Sequence, residues 1–363
     1  MKKNKNYVDL KDQPVPEGQH LLEVDDLKMY FHTEDGVVRA VDGVSYTLDR
    51  GESLGVVGES GSGKSVTAMT IMGLISMPPG KIEGGDVRYR GRSILEMTEE
   101  EMQHIRGNDI AMIFQDPMTS LNPVYKIGKQ VGEGLRLHRG YSKQEALKRA
   151  TELLDLVGIP EPEKRVNEYP HQFSGGMRQR VMIAMALACD PDILIADEPT
   201  TALDVTIQAQ IIELMQEMQE KNGNAIIMIT HDLGVVADMA DKIMVMYAGR
   251  PVEFGTAEEI FYESRHPYTW GLIRSIPEQA IEEKKPLTPI HGNPPSLMNL
   301  PEGCVFSPRC PYATDKCRKQ RPERVVTESG HYSACHYSGD PEFLKNAPET
   351  SRTRKDSKKG GEA

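Results

Sequence analysis

Two glycine-containing segments constrain the fold more than any other feature of this chain. The first, residues 58–65, has the sequence GESGSGKS and directly follows the apolar run at residues 53–57. The second, residues 173–180, has the sequence FSGGMRQR. Both patterns expose backbone N–H groups at the start of a helix, and such groups bind anions. One nucleotide does not need two such surfaces from one chain, so the pair predicts a site that two chains share.

Length and composition limit the class of protein. The chain has 363 residues, 38% hydrophobic and 27% charged, which indicates a soluble globular protein of two domains. No apolar run reaches the roughly 18 residues of a membrane span. The basic N-terminus lacks the apolar core of a secretory signal, so we expect a cytoplasmic protein. The net charge of −11 argues against nucleic-acid binding.

Apolar runs that are typical of buried parallel strands alternate with helical segments. Alternation of this kind predicts an α/β fold with a wound parallel sheet. Ligands bind such sheets at the carboxyl ends of the strands. The runs occupy residues 53–57, 110–114, 193–196 and 225–229. The polar residues that follow the last three are Gln115, Asp197, Glu198 and His231.

Composition shifts divide the chain into segments. We expect an N-terminal tail at 1–20, a main α/β domain at 21–260 with a helical subdomain at about 116–173, a small loop-rich cysteine domain at 261–345 and a disordered tail at 346–363. Ser142 and Glu145 form a predicted capping box in the helical part, and Gly158 ends that helix. Six prolines between residues 277 and 301 leave little room for long helices in the C-terminal domain.

The first glycine segment matches the phosphate-loop pattern in full. Its glycines let backbone N–H groups surround phosphates, Lys64 reaches the β and γ phosphates, and the Ser65 hydroxyl joins the shell of a Mg²⁺ ion. A glycine-rich turn without a ligand is the alternative. The candidate nucleotide-binding residues of this segment are Gly58, Glu59, Ser60, Gly61, Ser62, Gly63, Lys64, Ser65 and Val66.

The polar residues at the strand ends suit phosphoryl transfer, which needs positioning and charge stabilisation. Asp197 can hold Mg²⁺, and Glu198 can orient or deprotonate the attacking water. Gln115 can touch both metal and water, and His231 can sense the γ-phosphate. Asp204, a little further on, can cross a dimer interface. Without these roles, Asp197 and Glu198 would be an acidic pair at a strand end. Gln115 would be a surface amide, and His231 would be a structural histidine.

In this order, the motifs resemble those of ABC-transporter ATPase domains over residues 22–260. The resemblance implies that Ser174, Gly175 and Gly176 face the γ-phosphate of ATP held by a partner's phosphate loop. It also places Gln115 where the family couples ATP to membrane subunits. Phe31 aligns with the aromatic residue that stacks on adenine, with Tyr30 as the alternative.

One position departs from the family pattern. Most members have glutamine after the two glycines, where this chain has Met177. Methionine cannot make the same hydrogen bonds, but the serine and glycine amides remain, so we expect ATP binding to survive. The sequence SGGMRQR resembles the corresponding segment in one of the two non-identical ATPase subunits of peptide importers. A heterodimer is therefore expected.

Four of the five cysteines cluster near the C-terminus. A reducing compartment favours a metal site over disulfides there, and Cys189 is expected to be plain packing. Residues 265–269, RHPYT, resemble the segment that opens the extra domain of oligopeptide/dipeptide importer ATPases. That resemblance implies a [4Fe–4S] cluster, with zinc, free thiols or disulfides as alternatives. His331 and His336 could serve as additional ligands, but we expect them to be solvated loop residues. The four cysteines are Cys304, Cys310, Cys317 and Cys335.

Together these features predict an ATP-hydrolysing subunit of an importer that energises oligopeptide or dipeptide uptake. The expected partners are a second related ATPase, two membrane permeases and an extracellular or periplasmic peptide-binding protein, with no nucleic acid. The expected location is the cytoplasmic face of the cell membrane, as a peripheral protein. Alternatives are an importer of nickel or another small solute, a soluble ABC ATPase of DNA repair or translation, and an iron–sulfur scaffold with an idle ATP site.

Overall fold

The computed structural model describes residues 10–11, 13–116, 120–200, 205–276 and 289–348. The strands in these ranges are β1 (Leu22–Thr33), β2 (Gly36–Leu48), β3 (Ser53–Val57), β4 (Gly80–Tyr89), β5 (Arg92–Ser93), β6 (Ile110–Ile113), β7 (Ile193–Asp197), β8 (Ala225–Thr230), β9 (Lys242–Tyr247), β10 (Arg250–Thr256), β11 (Val325–Val326) and β12 (Tyr332–Ser333). The helices are α1 (Lys64–Ile71), α2 (Glu99–Ile105), α3 (Ile127–Val131), α4 (Glu133–His138), α5 (Lys143–Leu156), α6 (Pro162–Arg165), α7 (Gly175–Leu187), α8 (Val205–Asn222), α9 (Leu233–Ala237), α10 (Ala257–Tyr262), α11 (Pro267–Ile273), α12 (Asp315–Lys319) and α13 (Pro341–Leu344). A 3₁₀ turn spans Pro170–Gln172.

The larger sheet carries the site. Its strand order is β11-β12-β10-β9-β3-β8-β7-β6, and the five strands from β9 to β6 are parallel. Every residue of β3, β7 and β8 is buried, as expected of parallel strands covered on both faces. The predicted wound α/β sheet is confirmed. Beyond the parallel strands, β9 and β10 form a hairpin, pairing antiparallel across Ala248 and Gly249.

The smaller sheet is antiparallel, with the order β2-β1-β4-β5, and the sequence patterns above do not predict it. Side chains on one of its faces enter the same apolar cluster as side chains of the larger sheet. Val24 and Val41 of the smaller sheet lie in this cluster with Leu54 and Ile195 of the larger one. Burying apolar surface between the two sheets therefore holds β1 and β2 beside the strand that leads into the phosphate loop.

The segment between β6 and α7 is helical, as predicted. Ser142 and Glu145 form both hydrogen bonds of a capping box at the start of α5. Gly158, with a φ of 70°, follows the end of α5 in the left-handed conformation that suits glycine. The buried face of α5 includes Ala150 and Leu154, and it packs against α7. The helical segment thus supports the helix that begins after the second glycine motif.

The C-terminal region joins the larger sheet. β12 pairs with β10 through Glu253 opposite Ser333 and Phe254 opposite Tyr332, and β11 pairs with β12. Phe306 lies 5.2 Å from Tyr247, ring centre to ring centre, in the main core. This region is therefore a continuation of the sheet and core. The domain boundaries near residues 20, 260 and 345 stay predictions, and most of both predicted tails lies outside the described residues.

Candidate nucleotide-binding and catalytic site

The phosphate loop connects β3 to α1, and three of its glycines have positive φ. Gly58, Gly61 and Gly63 have φ values of 152°, 76° and 100°. A Cβ at Gly58 would lie 2.2 Å from the Met246 carbonyl oxygen, and a Cβ at Gly63 would lie 2.3 Å from that of Ala40. At Gly58 and Gly63, glycine is required by backbone conformation and by space. The backbones of β2 and β9 therefore pack directly against the loop.

Lys64 lies inside this loop. Its Nζ donates to the carbonyl oxygens of Gly58 at 2.8 Å and Glu59 at 3.0 Å, and it is 3.5 Å from the Ser62 hydroxyl. Burial lowers the pKa of Lys64, and the nearby carboxylates of Glu198, Asp197 and Glu59 oppose that effect. Ser60 and Gly61 are exposed at the loop tip, while Val66 is half-buried in α1. The loop and lysine have the arrangement that a phosphate group needs.

Ser65 and Asp197 meet at the carboxyl end of β7. The Ser65 hydroxyl donates to Oδ1 of Asp197 at 3.0 Å. Asp197 is 4% exposed, and its burial raises its pKa against the effect of the hydrogen bond from Ser65. A hydroxyl and a carboxylate side by side form an oxygen donor set that fits Mg²⁺. Ser65 and Asp197 are therefore placed to share such an ion.

Glu198 is contacted by two other predicted site residues. Its carboxylate accepts a hydrogen bond from Nε2 of Gln115 at 3.0 Å, and Oε1 lies 3.5 Å from Nδ1 of His231. Its φ of 47° is unusual for a residue other than glycine, and its backbone N–H donates to the carbonyl oxygen of Ile229 at 2.8 Å. Backbone strain of this kind concentrates at functional sites. The structure therefore brings the ends of β6, β7 and β8 together around one carboxylate.

The second glycine motif begins α7. The Ser174 hydroxyl accepts a hydrogen bond from the Met177 N–H at 3.3 Å, so Ser174 caps the helix. Ser174 and Gly175 are exposed, and nothing lies within 4 Å of a Cβ built on Gly175. Gly176 follows in the first turn. The Met177 side chain packs against the main apolar cluster, so methionine contributes packing here. Within the described residues, the hydrogen bonds found for Ser174 stay in its own segment.

The aromatic candidates lie on β1. Phe31 is half-buried and packs against the apolar cluster between the two sheets. The Tyr30 hydroxyl donates to Oδ1 of Asp42 at 2.9 Å, and Asp42 also pairs with Arg250 at 2.7 Å. The Tyr30 hydroxyl is therefore already hydrogen-bonded to Asp42, beside Arg250 at the start of β10. Asp204 lies outside the described residues.

The four C-terminal cysteines line one cavity, together with His266, Phe306 and His336. All are free thiols, and burial raises the pKa of Cys310 to about 11 and that of Cys335 to about 12. Four thiols on one cavity have the donor chemistry of a cluster or a zinc site. However, the described part of the chain contains no group of three or more His, Cys, Asp or Glu placed to hold a metal. Cys189 is buried in the main core, as predicted.

The preferred interpretation of the two histidines as solvated is wrong for His331. Its side chain is 1% exposed, and Nε2 lies 3.0 Å from Oε1 of the equally buried Glu253. A buried polar side chain needs such a partner. His336 is half-buried, and its Nε2 donates to the carbonyl oxygen of Gln320 at 2.9 Å.

Two residues of the C-terminal region contact the phosphate loop, and no sequence pattern predicts either contact. Tyr268 and Arg309 bind Glu59, the second residue of the loop. Tyr268 lies in the RHPYT segment, but that segment indicated a family and carried no sign of a contact. Arg309 is 250 residues from Glu59, and local pattern cannot connect residues so far apart.

Comparisons with known proteins give a matching family for both parts of the chain. Residues 41–201 match the ABC transporter family, and residues 252–317 match the oligopeptide/dipeptide transporter C-terminal region. The chain is 58% identical over 312 residues to the oligopeptide transport ATP-binding protein OppD of Bacillus subtilis, covering 86% of this chain and 87% of that protein. It is 52% identical over 320 residues to the dipeptide transport ATP-binding protein DppD of Escherichia coli, covering 88% and 97%.

Solved structures share the fold. A dimeric, post-hydrolysis structure of the ATP-binding cassette MJ0796 with ADP and Pi has a TM-score of 0.60 at 29% identity, covering 65% of this chain and 98% of that one. The cbiO1 protein of Clostridium perfringens has a TM-score of 0.57 at 29% identity, covering 67% and 91%. In the described part of this chain, no helix combines the length and apolarity needed to cross a membrane.

Proposed function

The chain belongs to the ABC transporter family, in its branch of oligopeptide and dipeptide transport ATP-binding proteins, and from this we propose that it is the ATP-hydrolysing subunit of a peptide importer. The observation that carries the proposal is the group of side chains at the carboxyl edge of the parallel sheet. Ser65 meets Asp197 there, and Gln115 and His231 meet Glu198. This edge is attached to a C-terminal region of the peptide-transporter type.

In the proposed mechanism, the loop amides and Lys64 bind the phosphates of ATP, and Phe31 stacks on the adenine. Glu198 orients the attacking water and accepts its proton, with Gln115 beside the water and His231 toward the γ-phosphate. Ser65, Asp197 and Gln115 would hold Mg²⁺, which neutralises charge on the β and γ phosphates when bound. The Glu198 side chain suits this role because it is 13% exposed and is held in place by contacts with His231 and Gln115.

We place the second glycine motif in a site shared by two chains. Ser174, Gly175 and Gly176 bind the γ-phosphate of ATP on the partner's phosphate loop, and Asp204 crosses the interface. The exposed start of α7 and the dimeric structure of a relative support this arrangement. Because Met177 replaces the usual glutamine, the proposed partner is a second, related ATPase.

The remaining partners follow from the family. Two membrane permeases form the path for the peptide, and a peptide-binding protein outside the membrane delivers it. The chain binds the permeases as a peripheral subunit on the cytoplasmic face. The 58% and 52% identities to peptide-transport proteins favour short peptides over nickel or other small solutes.

The cysteine cavity is proposed to hold a [4Fe–4S] cluster through Cys304, Cys310, Cys317 and Cys335. The convergence of four free thiols on one cavity supports this, and the absence of a ready metal-binding group among the described residues weighs against it. The protein purified without oxygen is expected to be brown, with about four iron atoms per chain. Colourless protein loaded with zinc would mean that the cavity is a zinc site.

The decisive experiment starts from detergent-solubilised membranes. The tagged chain should co-purify with two permeases and a second ATPase, and the complex in liposomes should take up a labelled peptide when ATP and the binding protein are present. A Lys64→Ala complex is the control, since it should assemble without transporting. ATP-driven uptake of Ni²⁺ with no uptake of peptides would replace the proposal by the small-solute alternative.

A further inference from the structure

A buried arginine of the C-terminal region forms a two-point ion pair with the phosphate loop. Nη1 of Arg309 lies 2.5 Å from Oε2 of Glu59, and Nη2 lies 2.9 Å from Oε1. The arginine side chain is 4% exposed, and the carboxylate is 29% exposed. Two parallel N–H to oxygen bonds fix orientation as well as distance. Arg309 therefore defines where the side chain of Glu59 can lie.

The backbone of Glu59 is held as well. Its N–H donates to the Tyr268 hydroxyl at 2.9 Å, and its carbonyl oxygen accepts from Nζ of Lys64 at 3.0 Å. Tyr268 is fully buried. One residue of the loop is thus bound on three sides, twice by the C-terminal region and once by the lysine that meets the phosphates. A shift of Glu59 would move the carbonyl group against which Lys64 rests.

Arg309 itself is rigidly seated. Its guanidinium also donates to the carbonyl oxygens of His291 at 3.0 Å and Ile290 at 3.1 Å. Its backbone N–H donates to the carbonyl oxygen of Phe306, in the turn between Cys304 and Cys310. The turn that presents the arginine is consequently part of the wall of the cysteine cavity.

We propose that Arg309 and Tyr268 are positioning residues for ATP binding. They hold Glu59, and through it the phosphate loop and Lys64, in the conformation that receives the nucleotide. The C-terminal region then sets the affinity of the site for ATP without touching the nucleotide. This inference rests on the proposed ATPase function, and it assigns that region a role inside the ATP cycle.

The test is ATP affinity in the full-length chain, measured with a fluorescent ATP analogue, and steady-state hydrolysis in the assembled complex. Arg309→Ala should raise the Kd by about tenfold, the effect of losing one charge-assisted contact. Glu59→Gln should do nearly the same, Tyr268→Phe should raise it less, and kcat at saturating ATP should change less than Kd. Arg309→Lys keeps the positive charge but lacks the two parallel N–H donors of a guanidinium. It should therefore recover only part of the affinity for ATP.

A double-mutant cycle separates positioning from a general structural effect. The combination of Arg309→Ala and Glu59→Gln should cost no more than either change alone, because both remove one contact. Arg318→Ala, an exposed arginine of the same region paired with Asp315, is the matched control and should leave Kd unchanged. If Arg309→Ala does not fold, Glu59→Gln and Tyr268→Phe test the same contacts.

The outcomes are distinct. Wild-type affinity in the Glu59→Gln and Tyr268→Phe variants, or fully additive effects in the cycle, would overturn the positioning role while leaving the ATPase function intact. A wild-type complex that does not hydrolyse ATP would overturn the proposed function itself.

Discussion

The side-chain amide of Gln115 donates a 3.0 Å hydrogen bond to the carboxylate of Glu198, a residue 83 positions further along the chain, and so links the ends of two parallel strands. The same carboxylate lies 3.5 Å from the imidazole of His231, at the end of the third strand. The carboxylate thus has an amide on one side and an imidazole on the other. A water bound there would meet a carboxylate whose orientation is already fixed.

Replacement of Glu198 by glutamine should abolish hydrolysis and keep ATP binding. The amide has nearly the same shape but cannot accept the proton of the attacking water, and loss of such a base costs about 10²–10⁴-fold in rate. Phosphate release by the assembled complex measures the effect, and size-exclusion chromatography with ATP should reveal a persistent closed dimer. Glu100→Gln, at an exposed position of α2, is the control. Undiminished phosphate release by the Glu198 variant would remove this residue from the mechanism.

Replacement of Asp197 by asparagine should raise the Mg²⁺ concentration needed for half-maximal hydrolysis by at least tenfold. The reason is that a neutral amide is a weaker ligand than a carboxylate for a hard divalent cation. A Mg²⁺ titration at fixed ATP measures the change. Asp238→Asn, at an exposed position, should leave the titration unchanged. Identical titrations for the Asp197 variant and the wild type would show that Asp197 does not hold the ion.

The glycines of the phosphate loop should differ in their tolerance of alanine. Gly61 and Gly63 both have positive φ, so alanine costs about 1–2 kcal/mol of conformational energy at either position. Only at Gly63 would the added Cβ lie 2.3 Å from a carbonyl oxygen, whereas nothing lies within 4 Å at Gly61. Gly63→Ala should therefore weaken ATP binding at least tenfold more than Gly61→Ala. Equal Kd values for the two variants would contradict the steric argument.

His266 should make the fold sensitive to mild acid. Burial lowers its pKa from 6.5 to about 4, against the opposing effect of Glu253. Between these two pH values the unfolded chain binds a proton at His266 that the folded chain does not, so stability falls as the pH falls from about 6.5 to about 4. The full effect is about 3 kcal/mol.

The measurement is urea denaturation of the wild type and of His266→Asn across that pH range. In the wild type, the Tyr268 N–H donates to Nδ1 of His266 at 3.1 Å. The side-chain oxygen of asparagine can still accept this hydrogen bond, but asparagine does not titrate. The pH slope of the variant should be shallower than that of the wild type. Parallel slopes for wild type and His266→Asn would contradict the prediction.

Local sequence signals predicted much of the fold. The strands that end at Val57 and Asp197 lie where the unbroken apolar runs indicated, and the capping box of Ser142 and Glu145 forms both of its hydrogen bonds. These features depend on residues close together in the chain. The site residues at the strand ends converge because parallel strands bring their carboxyl ends to one edge.

Features that depend on distant residues could not be predicted. The smaller antiparallel sheet needs β1 to pair with both β2 and β4, with register shifts along each pairing that blur the alternation of buried side chains. His331 looked like a loop histidine because its partner, Glu253, is 78 residues away. The same holds for Arg309 and Glu59, which meet only when the C-terminal region folds onto the phosphate loop.

Ser174 adds a consequence for assembly. Its hydroxyl already closes the first turn of α7 in the single chain. The conformational entropy of forming this helix start is therefore lost during folding and not during association. A partner that brings ATP to this surface meets groups that are already immobilised. In the proposed two-chain site, closure and reopening would then be rigid-body movements that need no loop to reorder in each cycle.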